Sequence, residues 1–161
     1  MKQHLPDYIH AGVTGTGGAP QSINLKEFRM LCHTAARLTG GKVLGFDLPP
    51  FHTSKNFVLA ALQFSDPSGE RLVFLLKHHA SLLACASAQD LTFHFPFAFI
   101  DFPELTAPFQ PFFHILKRQE LECPWMWTER ELASRLHPQE IKEIIYWKPH
   151  TVGEAIFNFW D

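Results

Sequence analysis

Apolar residues recur three and four apart through Leu25, Phe28, Leu31, Cys32, Ala35 and Leu38, the spacing that lines one face of a helix. Asn24 stands at the N-cap position with Glu27 three residues on, and Gly40-Gly41 supplies the stop. This pattern predicts a helix over residues 25–39. The period then changes. Val43–Asp47, Phe57–Phe64, Arg71–Lys77, Ser81–Ser87 and Leu91–Asp101 are short apolar or alternating runs parted by turn chemistry, notably Asp66-Pro67-Ser68-Gly69, and they read as strands. Short links favour antiparallel neighbours, so the runs predict a meander of about five strands. Phe93, Phe95, Phe97 and Phe99 share one face if extended. Pro96 between them has no N–H to donate, which suggests an edge strand or a bulge.

After Phe102 the spacing turns helical again. Pro103, Pro108 and Pro111 interrupt an aromatic connector, and Phe112–Leu121 is a further helical candidate. Thr128 with Glu131 forms a capping signature for a helix reaching about Leu136. Pro138 opens PQEIKEIIYW, whose apolar side is Ile141, Ile144, Ile145 and Trp147. Pro149 ends that segment, and Thr151 with Glu154 caps the last one. The order predicts one α+β domain over residues 1–161: an antiparallel meander sheet packed with an N-terminal helix and several C-terminal helices. Residues 1–22 are expected to form a flexible, glycine-rich arm.

Composition narrows the function classes. The chain has 161 residues, 46% hydrophobic and 19% charged, with 16 Phe and 4 Trp, enough to bury a phenylalanine-rich core without disulfide or metal. The net charge of −2 and a pI near 6.5, with Lys and Arg scattered, lack the electrostatic footprint of a nucleic-acid binder. There is no apolar run of membrane-spanning length and no signal-peptide h-region. Cys32, Cys85 and Cys123 are odd in number and far apart, as in a reducing compartment. A soluble cytoplasmic protein is expected, with neither nucleic acid nor membrane as partner.

Few motifs carry chemistry. HAGVTGTGGAP at residues 10–20 has the outer glycines of a phosphate loop in Gly12 and Gly17, but Gly18 and Ala19 stand where Lys and Ser or Thr are needed. As a dinucleotide fingerprint, Gly15-x-Gly17 runs into Pro20. His78 and His79 leave an extended run on opposite faces, so a metal reading needs His94 from across the sheet. Cys85 lies in an apolar strand, where a thiol keeps its proton. Asp101, Glu104, Glu120 and Glu122 do not assemble an acid–base pair by spacing alone. No catalytic, cofactor-binding or metal-binding residue is therefore assigned. Trp125 and Trp127 flank Met126 in a connector, where aromatics act as partner-binding anchors.

The ending carries an apolar stripe, Val152, Ala155, Ile156, Phe159 and Trp160, on a segment too short to be a stable helix alone, so it must dock. This tail, W-K-P-x-T-V-G-E-x-I-F-N-x-W-D, resembles the ends of a group of small, uncharacterised bacterial cytosolic proteins. The resemblance implies that setting but no activity, substrate or cofactor. In fold class and size the chain also resembles some immunity proteins that neutralise toxins. The expected function is non-enzymatic protein binding, of an immunity type, with Trp125 and Trp127 at the contact surface. The competing expectation is a small hydrolase or metal-dependent enzyme using His78, His79, His94 and a carboxylate.

Overall fold

A computed structural model describes residues 4–15, 24–46, 57–64, 70–77, 81–87, 97–158 and 160. Helix α1 (Leu25–Leu38) starts as its capping pattern requires, the Glu27 amide donating to Asn24 Oδ1 at 2.9 Å. Gly40, at φ 74°, makes the left-handed turn into the sheet. Its apolar stripe is buried at Phe28, Leu31, Cys32 and Ala35, while Leu25 and Leu38 at the two ends lie exposed.

Four strands follow: β1 (Gly41–Phe46), β2 (Phe57–Phe64), β3 (Arg71–Lys77) and β4 (Leu82–Ser87). They form an antiparallel meander, extended by β5 (Ala98–Phe99) in the order β1-β2-β3-β4-β5. The fold is α+β. Of the four phenylalanines expected on one face, Phe97 and Phe99 share a single core cluster. Phe93, Phe95 and Pro96 lie outside the described residues.

The strands read as continuous rather than alternating apolar runs because both faces of the sheet are covered. Val58, Ala60, Leu62, Leu72, Phe74, Leu76, Leu83 and Cys85 pack with α1 and the segment around Leu105 and Phe109. Phe57, Leu59, Ala61, Val73, Leu75, Leu82 and Ala84 face the other way, against Ile9, Val13 and the C-terminal helices. The period-2 geometry of a strand sorts adjacent residues into these two layers.

One segment differs from its sequence pattern. The expected helix over Phe112–Leu121 is confined to α3 (Arg118–Leu121), after α2 (Pro103–Thr106) and a 3₁₀ turn, Ala107–Phe109. Ahead of α3, β6 (His114–Ile115) pairs parallel with Leu82 and Leu83, the His114 and Leu116 amides donating to the Ser81 and Leu83 carbonyls at 2.8 and 2.9 Å. An open strand edge outcompeted a weak local helical preference.

The helices α4 (Glu129–Leu132), α5 (Pro138–Trp147) and α6 (Val152–Ile156) complete the fold. The tail docks as expected, with Val152, Ala155, Ile156 and Phe157 fully buried. Lys148 ends α5 in the left-handed region at φ 49°, ψ 63°. The N-terminal segment corrects the expectation of a flexible arm over residues 1–22 as far as it is described. Across residues 4–15, Ile9, Val13 and Thr14 are buried in the layer under the sheet. Residues 1–3 and 16–22 lie outside the described residues.

Candidate functional site

The glycine-rich stretch wraps an anion, and the anion belongs to the protein. Gly12 and Gly15 have φ of 95° and 85°, values that an L side chain rarely adopts. The turns they permit aim successive groups at one point. Glu140 Oε1 accepts from the Gly12 amide at 3.1 Å, the Thr14 amide at 3.1 Å and the Thr14 hydroxyl at 2.8 Å. Glu140 Oε2 accepts from the His137 amide at 3.0 Å, closing the N-terminus of α5 as a capping box does. A concave set of backbone N–H groups is an anion site, and here an internal carboxylate occupies it. Asn158 ties the same loop to the tail, its Nδ2 donating to the Thr14 and Ala155 carbonyls at 3.0 and 2.8 Å.

Lys77 ends β3 on the parity that faces this cluster. It is fully buried, and its Nζ has no hydrogen-bond partner among the described residues. Burial drives its ammonium well below the ordinary lysine range, and the Glu140 carboxylate offsets only part of this. Glu140 and Asn158 therefore fasten the Gly12–Thr14 loop to α5 and to the tail, beneath the sheet face on which Lys77 is buried.

The second feature is a cleft made by topology. Strands β5 and β6 run toward each other along one edge of β4 and stop at Cys85, where the Ile100 amide donates to the Cys85 carbonyl at 2.9 Å. The continuing chains diverge, as at a topological switch point. A cleft of about 560 Å³ opens there, lined among others by Cys85, Asp101, Phe113, His114 and Lys117. Asp101 Oδ1 accepts from the Arg118 amide at 2.8 Å and holds the rim together. Burial, reinforced by the Asp101 charge, pushes the Cys85 thiol up to about 12, so it stays protonated and unreactive. Glu104 and Glu122 are exposed, and Glu122 pairs with Arg118 instead of converging on that rim. Glu120 is spent on the Lys117 amide.

The third feature is aromatic. Trp127 is 7% exposed and belongs to the core; Trp125 is half-buried against the same cluster, its ring 5.0 Å from Trp127 in an edge contact. Trp127 is thereby committed to holding the fold, and the open member of that connector is Met126. The exposed aromatic surface lies instead at the end of α5, where Ile145, Tyr146 and Trp147 are 51%, 75% and 41% exposed in succession. The Trp147 ring stacks parallel on Trp160 at 6.3 Å, and its Nε1 donates to Glu143 at 2.9 Å. Sequence reasoning placed Ile145 and Trp147 on the apolar side of α5 and so hid this surface. The signal was three large apolar residues in a row, which no single helix face can bury.

Among the described residues no three His, Cys, Asp or Glu side chains converge on a point that could hold a metal ion. His78, His79 and His94 lie outside the described residues. No helix among the described residues is long and apolar enough to cross a membrane. No family model matches the chain, and neither a curated protein nor a solved structure matches it.

Proposed function

We propose that this chain is a non-enzymatic protein-binding module that contacts its partner through the end of α5. The observation that carries this reading is the run Ile145-Tyr146-Trp147, exposed in succession on an otherwise well-packed fold. Tyr and Trp offer large contact area with little rotamer freedom to lose, and they dominate interface hot spots. Trp147 is already held in place by Glu143 and Trp160, which lowers the ordering cost of binding.

Charge indicates what kind of partner fits. Lys142 and Lys148 flank the aromatic run, exposed and, among the described residues, without a carboxylate partner. The nearby acids are used internally: Glu143 accepts from Gln139 and Trp147, and Glu154 from the His150 amide. An apolar ridge bordered by acidic residues complements this surface. A cytoplasmic, bacterial, immunity-type protein that masks a toxin is the form of this function most consistent with the tail motif and the small α+β fold. Its binding needs no reactive group.

The test is a photo-crosslinking residue placed at position 146 in cells, with position 104, on the connector of the opposite layer, as control. One predominant adduct at 146 and not at 104, identified and shown to bind as purified protein, supports the reading. Equal or absent labelling at both positions contradicts it.

A further inference from the structure

Helix α1 carries a second patterned face. Lys26, Met30, His33 and Arg37 follow the i, i+4, i+7, i+11 spacing of a single stripe, with Arg29 beside it. All five are exposed. The stripe borders a groove of about 510 Å³ between α1 and β1, lined by Met30, His33, Arg37, Gly41, Lys42 and Val43. Among the described residues, Lys26, Arg29, Arg37 and Lys42 have no carboxylate partner. Arg29 lies over the Phe46 ring at 5.4 Å, and Arg37 makes only a 3.4 Å contact to the Thr34 hydroxyl. The single acid in the helix, Glu27, is engaged with Asn24 at the cap.

The geometry points to this groove as a binding site for an acidic, extended segment of a partner protein. From Lys26 to Arg37 the stripe covers about 16 Å of helix, so its charges are spread along a line rather than gathered on one phosphate. Met30 and Leu38, 61% and 69% exposed, are interleaved with the cations and suit apolar side chains among the carboxylates. β1 is the outermost strand in the described sheet order and among the described strands pairs with β2 alone, an arrangement that suits an extended chain laid beside the groove. A net charge of −2 gives no broad positive field of the kind that holds a nucleic acid or an anionic membrane. A short acidic segment feels the local cations within the Debye length of about 8–10 Å. This groove lies on the opposite layer of the sheet from α5, and the inference stands or fails independently of the aromatic surface.

The probe is a fluorescein-labelled octapeptide of six glutamates and two leucines, followed by anisotropy, with the glutamine-for-glutamate peptide as control. The acidic peptide is expected to bind, to weaken about tenfold or more between 50 and 300 mM salt, and to weaken by at least about tenfold on Arg37→Glu with Lys42→Glu. The milder Arg37→Gln with Lys42→Gln pair gives a smaller loss with an unchanged melting temperature. Equal binding of the glutamine peptide, or indifference to both double variants, overturns the proposal. Preferential binding of a DNA duplex or of phosphatidylserine vesicles over the peptide does so as well.

Discussion

Glu140 uses its two oxygens for two different parts of the chain. One closes the first turn of α5 and the other collects the Gly12–Thr14 loop. Replacing it leaves buried donors unpaired, at about 1–3 kcal/mol for each neutral group exposed to that loss. Glu140→Ala is expected to lower stability by about 3–5 kcal/mol and the melting temperature by about 6–15 °C. Glu140→Gln, which keeps an acceptor, loses less. A calorimetric melt checks both, and an unchanged melt would show that the loop is not fastened there. Lys77 gives a pH-dependent prediction. Its folded pKa is depressed, so between that value and the unfolded value near 10.4 the unfolded chain binds the extra proton. Its burial therefore costs stability at low pH, and the cost fades as pH rises. Lys77→Met, a substitution of similar volume, is expected to melt level with or above the wild type at pH 7. The gap narrows toward pH 9 by up to about 1.4 kcal/mol per unit. Comparing the two proteins at each pH cancels the opposite trend from Cys85, whose raised thiol pKa removes stability above pH ~9. A gap that widens with pH contradicts the assignment.

At the scale of elements, α6 shows how closely the tail is fitted. A Cβ on Gly153 would lie 2.6 Å from the Phe99 ring and 3.1 Å from the Leu121 carbonyl. Gly153→Ala is therefore expected to cost about 1–3 kcal/mol through overpacking, read as a lower melting temperature; a neutral result would mean that α6 can slide off β5. The caps and periods of α1, β2, β3 and α5 were legible because each is decided within a few residues. Asn24 caps Glu27, Thr128 caps Glu131, and strand parity sorts Phe57 from Val58. β6 was not legible, since its two residues are extended only because β4 offers them an edge. The Glu140 cluster was hidden for a related reason. Thr14 and Glu140 are 126 positions apart, and a buried hydrogen bond between them leaves no periodic trace. Trp125 and Trp127 could be read from the sequence either as binding anchors or as rings covering the sheet, and only the packing of the neighbouring helices places Trp127 in the core.

For the whole molecule, the three layers account for the large share of phenylalanine and for the two-sided burial of the strands. Both described ends of the chain converge on one layer, where Asn158 and Glu140 hold the Gly12–Thr14 loop. The outer surfaces of α5 and α1 are two places where large apolar and cationic side chains face solvent together. The functional account rests on α5. Once its partner is identified by crosslinking, the direct measurement is the dissociation constant by titration calorimetry for wild type and for Tyr146→Ala with Trp147→Ala, at equal melting temperature. The account predicts a loss of about a hundredfold or more, as for two hot-spot aromatics; a change within about threefold would contradict it.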